Sequence, residues 1–338
     1  MRHVAVSDLS KLQLLIYVLG YSPMGESMFV VVRDSNNQEV YQSLLIDCFE
    51  VNDKNEFEPF FKQFKIDKNK LDFVIWTHPD YDHSVGFCKI IQKYTSEDTL
   101  FILPEGFTKN LFLSRKLQTI YSYLSLISQR KLKVERVNSS NKRKYPTVYG
   151  DTEYSDGIND CIQFNFEILT PFADQVFYKT ELLKRVKMND ISISLILRFG
   201  GQNFYFGGDT EDCAIKSINP EKMHNIIFIK IPHHSSKTSI YLPKLLQNNY
   251  NESGNMKECI VSVTTCFKKN KINLPDITVL DEYKKCVGKI LKTNCEDGIN
   301  LYGIWEFEYN IRPQIIKPPI AYGDAVEYYN CSNGNRRK

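Results

Sequence analysis

The sequence predicts an α/β fold, and three observations lead there. Apolar runs of strand length recur along the chain, separated by segments whose apolar residues follow a helical period. Four of those runs end in residues that compete for metal ions: Asp47, the stretch His78 to His83, Asp209, and the pair His233/His234. No apolar run reaches the roughly 20 residues of a membrane span.

Composition bounds the reading. A chain of 338 residues suits one large or two modest domains, and its 42% hydrophobic and 25% charged residues are ordinary for a globular protein. A net charge of +3 is too small to argue for a polyanionic partner by itself. The 9 cysteines contain no Cys-x-x-Cys pair, which speaks against a disulfide framework or a cysteine zinc knuckle and for reduced thiols. Together with a start, Met1-Arg2-His3-Val4, that lacks a signal-peptide core, this makes the cytoplasm the expected location, with no membrane partner.

The elements follow in order. Leu12 to Leu19 and Met28 to Arg33 read as a hairpin around Gly20-Tyr21-Ser22-Pro23-Met24-Gly25. Tyr41 to Ile46 is a third strand running into Asp47, which reads as a cap, a loop residue or a group that orients a metal-bound histidine. Phe57, Phe60, Phe61 and Phe64 mark a short helix with a core-facing stripe. Leu71 to Trp76 is a buried strand that stops at a proline-containing loop, and a helix is expected from near Asp82. After a strand at Thr99 to Leu103, a long helix is expected from Phe107 to about Lys131. Arg130 to Lys144 is basic and reads as a solvated loop or a phosphate-tracking patch; Lys142, Arg143 and Lys144 are its candidate substrate contacts. Phe164 to Leu169 is a strand, Phe172 to Lys187 helical, and Ile191 to Phe199 pairs with Phe204 to Phe206 across Gly200-Gly201-Gln202-Asn203. Gly207 and Gly208 then let the backbone approach something closely just before Asp209. Ile226 to Ile231 is a strand ending at Pro232-His233-His234-Ser235. Ser239 to Gln247 reads as a helix, Cys259 to Thr264 as a strand, Val279 to Leu291 as a helix and Ile299 to Tyr309 as a final strand pair or one long strand. The expected organisation is one domain over 1–311, with a helical and basic insertion about 107–160, and a proline-containing tail over 312–338.

Within six residues the loop after Trp76 carries His78, Asp80, Asp82 and His83, a crowding of imidazoles and carboxylates that calls for a positive ion between them. The chain has 6 histidines, and His78, His83, His233 and His234 all fall at these strand ends. The pattern Thr-His-x-Asp-x-Asp-His-x-x-Gly, from Thr77 to Gly86, resembles the metal motif of the metallo-β-lactamase superfamily. Asp47 falls on that superfamily's early aspartate, Asp209 on its bridging aspartate, and Pro232-His233-His234-Ser235 on its late histidine. Asn189-Asp190-Ile191-Ser192, Gly207-Gly208-Asp209 and the run Pro232 to Ser239 resemble the soluble hydrolase domain of ComEC-like proteins.

The resemblance covers about Leu12 to Tyr309 and implies an αββα sandwich, two mixed sheets flanked by helices, with metals at one rim. It implies two divalent ions, Zn²⁺ or Mn²⁺. One would be held by His78, Asp80 and Asp209, the other by Asp82, His83, Asp209 and one of His233 and His234. The superfamily's middle histidine has no counterpart, since no histidine lies between His83 and His224. The expected function is a metal-dependent phosphodiesterase or nuclease acting on nucleic acid or a nucleotide, with Asp82 and Asp209 catalytic and Lys237 near the substrate. The rival expectation is a regulatory subunit with a reduced metal site and a protein partner; the missing histidine favours it.

Overall fold

The computed structural model describes residues 4–6, 9–107, 115–140, 145–150, 164–183, 186–253, 257–294, 299–311 and 317–331. Within them, two mixed β-sheets lie face to face with helices on both outer sides, the αββα sandwich the resemblance implied. The first sheet runs, edge to edge, through Ile320–Gly323, Tyr302–Asn310, Leu12–Tyr21, Glu26–Asp34, Val40–Ile46, Phe73–Ile75, Leu100–Pro104 and Lys133–Val137. Its first half is antiparallel and its second half parallel. Leu12–Tyr21 is buried on both faces, which is why it reads as a continuous apolar run and not as an alternating one.

The second sheet runs through Val4–Val6, Tyr145–Gly150, Phe164–Thr170, Ser194–Phe199, Gln202–Phe206, Ile226–Lys230, Val261–Thr264, Lys289–Lys292 and Val326–Asn330. Side chains of both sheets, among them Ile16, Val30, Ile75, Leu195, Leu197 and Phe228, fill the space between them. Glu58–Gln63, Phe87–Lys93 and Arg115–Gln129 cover the outer face of the first sheet, and Leu242–Ser253 and Ile277–Lys284 that of the second. The parallel strands of both sheets end at a shared rim. The sheets are stitched there by the Ile193 N–H, which donates to the Thr77 carbonyl at 3.0 Å. No described helix is long and apolar enough to cross a membrane.

Several boundaries depart from the sequence reading. The helix expected over Val279 to Leu291 is the helix Ile277–Lys284 followed by the strand Lys289–Lys292. Gly288 lies just before that strand, where a Cβ would stand 2.3 Å from the Glu258 carbonyl oxygen. The helix expected near Asp82 is a single 3-10 turn, Tyr81–His83, and Phe87–Lys93 follows it. The expected tail from 312 supplies an edge strand to each sheet, Ile320–Gly323 and Val326–Asn330. The prolines obscured this because they precede the pairing segments, where no ladder hydrogen bond is needed. The expected insertion about 107–160 is, in its described parts, built into the sandwich: Tyr123 and Ile127 join the core, and Lys133–Val137 is an edge strand. Lys133, within the basic stretch, pairs with Asp98 at 3.1 Å at the start of its parallel strand, the rim opposite the histidines.

Candidate metal centre

The predicted metal-competent residues, Asp47, His78, Asp80, Asp82, His83, Asp209, His233 and His234, sit on segments that leave strands at the shared rim. Asp47 follows Val40–Ile46 with φ 56, a left-handed conformation that turns its carboxylate back under the loop after Phe73–Ile75. Its Oδ1 accepts from the Thr77 N–H at 2.7 Å, and its Oδ2 accepts from the Thr77 hydroxyl at 2.6 Å and from His83 Nδ1 at 2.8 Å. The Thr77 proton is spent on Asp47, so the Thr77 oxygen accepts from His78 Nδ1 at 3.0 Å. One buried carboxylate thus sets the tautomer of two imidazoles, leaving the Nε2 lone pair of each free.

Both free nitrogens face Asp209. His78 Nε2 lies 3.7 Å from Asp209 Oδ2 and His83 Nε2 lies 3.3 Å from Asp209 Oδ1. His78, His83 and Asp209 bring one donor atom each within 4.8 Å of one another, all buried. His78 Nε2, His83 Nε2 and Asp209 Oδ1 are buried and have no hydrogen-bond partner. Three acceptor-type atoms turned toward one point without donors are costly unless a cation sits among them, so the residues present fit a divalent ion.

Gly207 and Gly208 bring Asp209 there. A Cβ at Gly207 would stand 2.7 Å from the Pro232 Cβ, and Gly208, at φ +50, would place one 2.5 Å from the Ile193 carbonyl. The Gly208 carbonyl accepts from the His233 N–H at 2.9 Å, tying this loop to the histidine pair. His233, His234 and Ser235 take φ of 48, 48 and 63, a left-handed run that costs on the order of 1–2 kcal/mol per residue. It directs the two rings differently. His234 is buried, with Nε2 3.1 Å from Asp82 Oδ2 and 3.9 Å from Asp209 Oδ1. His233 is partly exposed; its Nε2 lies 3.3 Å from the Asn189 amide nitrogen and 3.9 Å from Asp209 Oδ2. Asp80 is half-buried and caps the turn by accepting from the Tyr81 N–H at 2.7 Å; it lies outside the His78–His83–Asp209 convergence. Lys237 is exposed, 3.4 Å from the Asp276 carboxylate. Lys142, Arg143 and Lys144 lie outside the described residues.

The sequence reading missed Glu26. It is fully buried behind the second half of the cluster and pairs with Lys230 at 2.7 Å, both side chains without exposure. The Thr265 hydroxyl donates to Glu26, and His234 Nδ1 lies 2.8 Å from the Thr265 oxygen. Glu26 therefore repeats for His234, through Thr265, what Asp47 does for His78 through Thr77. Glu26, His83 and His234 also come within 4.8 Å, but on the Nδ1 sides of the rings, where Lys230, Thr265 and Asp47 already hold them. The Nδ1 atoms of that set are already spent, which makes it a brace behind the rings, while Glu26 Oε1 is buried without a hydrogen-bond partner. A signal was present: Lys230 is the one charge in the apolar run Ile226 to Ile231, and a buried charge needs a partner.

The carboxylates of the cluster dominate its electrostatics. Burial opposes charge throughout. His83 nevertheless sits well above the usual imidazole range because Asp209, Asp82, Asp47 and Glu26 surround it. Burial and the neighbouring His83 push His78 down. Asp209 is held well below the usual carboxylate range against its burial, by His83, His233 and His234.

No family model and no curated protein matches this sequence. Among solved structures, a diphosphatase from the PhnP family aligns over 88% of this chain and 98% of its own, at 13% identity and a TM-score of 0.39. The metallo-beta-lactamase fold protein YhfI from Bacillus subtilis aligns over 88% of this chain and 100% of its own, at 11% identity and a TM-score of 0.41. Scores and identities this low carry no inference about activity.

Proposed function

We propose that this chain is a metal-dependent hydrolase of phosphodiester bonds in nucleic acid or a nucleotide. One observation carries the reading: the buried, unpartnered His78 Nε2, His83 Nε2 and Asp209 Oδ1 converge, with both imidazole tautomers set from behind by Asp47. Two divalent ions, Zn²⁺ or Mn²⁺, would share Asp209. The residues that would hold them with Asp209 are His78 and Asp80 for one, and Asp82, His83 and His234 for the other. His234 is preferred to His233 because it is buried and aimed at Asp82, whereas the His233 Nε2 already faces the Asn189 amide. When bound, a divalent ion supplies Lewis acidity, neutralising phosphate charge and making water a better nucleophile near neutral pH.

The chain's own residues prepare that chemistry. Asp47 and Glu26 fix the three rings, so that little reorganisation accompanies binding. Burial of the His78, His83 and His234 rings keeps bulk water from their donor atoms. Lys237 stands exposed close to His234 in sequence, where it would meet an anionic substrate. The ComEC-like resemblance of the run Pro232 to Ser239 belongs to this proposal.

Bound metal per chain, by elemental analysis, tests it together with turnover of bis-(p-nitrophenyl) phosphate in added Zn²⁺ or Mn²⁺. About two ions and measurable turnover are expected, both lost in Asp209→Ala. A chain that binds no metal and turns over nothing under either ion would overturn the reading in favour of a partner-dependent, non-catalytic subunit.

A further inference from the structure

The strand Val261–Thr264 delivers Thr265 to the site, and the chain then leaves the rim as a separate two-stranded hairpin, Phe267–Lys269 paired with Ile272–Leu274. A lone two-stranded hairpin is marginal in water, so what holds this one matters. The Phe267 ring lies 5.3 Å from the His234 ring. The Lys268 N–H donates to the Pro23 carbonyl at 2.7 Å, and just past the second strand the Asp276 N–H donates to the Ser235 carbonyl at 3.1 Å. Both ends are pinned to loops of the site, and the hairpin stands as a fixed projection beside His234.

Its chemistry is one-sided. From Ile260 to Pro275 the chain carries no acidic residue. Lys268, Lys269 and Lys271 are exposed, and none lies within 4.0 Å of a carboxylate among the described residues. Lys237, across the same rim, adds a fourth cation whose partner is Asp276. Unpaired lysines gathered beside a site focus its field on anions. Lys269 pairs with Ile272, so Asn270 and Lys271 form the turn, and from Phe267 to that tip the hairpin rises two residue steps, roughly 7 Å at about 3.3 Å per residue. A single phosphate would not reach from His234 to Lys271, whereas a chain of phosphates would.

We infer that this hairpin is the docking lip for the phosphate backbone of a single nucleic-acid strand, which it leads toward His234. The half-buried face of Phe267 gives a base a surface on which to stack. The inference deepens the phosphodiesterase reading and rests on it for the chemistry, but binding is read without turnover.

The test is fluorescence anisotropy of a labelled oligothymidylate on the chelated full chain, at about 50 and 200 mM salt. Wild type is compared with the triple variant Lys268→Gln, Lys269→Gln, Lys271→Gln. At about 0.7 logarithmic units of salt slope per neutralised phosphate, wild type should show a slope near −2 or steeper. The variant should lose most of that slope and about tenfold or more in affinity at low salt. Replacing the same three residues by Arg should keep both. Equal affinity and slope in the Gln variant overturns the inference, as does binding to phosphatidylserine vesicles without binding to the oligonucleotide. Either failure leaves the metal content and the bis-(p-nitrophenyl) phosphate turnover standing, so the two readings fail separately.

Discussion

Asp47 and Glu26 brace the same cluster from two sides and differ in what neutralises them. Asp47 accepts from Thr77 and from His83, and among the described residues no lysine or arginine pairs with it. Its charge is spent on the imidazoles. Glu26 is held 2.7 Å from Lys230 in a pocket without solvent, and it reaches His234 only through Thr265, its own oxygen being 3.5 Å from the ring. Its charge is spent mostly on the lysine. The contrast teaches that two carboxylates in equivalent positions can serve different ends: Asp47 serves the imidazoles, and Glu26 serves the fold first.

The largest effect follows from the ion pair. Breaking a buried pair by removing one partner strands the other charge and costs about 3–5 kcal/mol, while removing both is close to neutral. Lys230→Met and Glu26→Gln should each lower unfolding stability by that amount, and the double variant should recover most of it. Urea unfolding of the chelated protein reads this directly. Single variants as stable as wild type would mean that the pair is not closed in solution, and the contrast with Asp47 would go with it.

Asp47→Asn should do the opposite. The amide still accepts from the Thr77 N–H, so the stability loss should be about 1–2 kcal/mol. Losing the carboxylate behind a ligating imidazole should weaken metal binding by about 10- to 100-fold. Competition with a chromogenic chelator measures it. Were Asp47→Asn to unfold as readily as Lys230→Met while keeping its metal affinity, the two braces would be interchangeable.

The same difference explains what the sequence made legible. The motif Thr77 to Gly86 is local, so a stretch of chain carries its chemistry, and Asp47 could be flagged because an acid ends an apolar run. Glu26 could not be placed, because its link to Thr265 joins residues 239 positions apart. Lys230 pointed to some buried acid without saying which. The long central strands themselves were readable from apolar runs. The interior strand Lys289–Lys292 and the edge strands Ile320–Gly323 and Val326–Asn330 were not, because pairing of such short segments is decided by the neighbouring strand and not by pattern. The basic hairpin escaped for a related reason: nothing in the sequence places Phe267 beside His234.

The smallest effect is the most discriminating. Thr77 relays Asp47 to His78, and Thr265 relays Glu26 to His234. Thr→Val at either position keeps the shape and removes the relay, at about 0.5–1.5 kcal/mol, or roughly 3- to 10-fold in affinity for the ion that ring holds. Thr→Ser should change little, since the hydroxyl remains. His78 faces Asp209 Oδ2, and His234 faces Asp209 Oδ1 and Asp82. If the two oxygens of Asp209 serve two ions, calorimetric titration of Zn²⁺ into chelator-stripped protein should show two binding events, with Thr77→Val weakening one and Thr265→Val the other. If both substitutions weaken the same event, the cluster holds a single ion and the two braces converge on it.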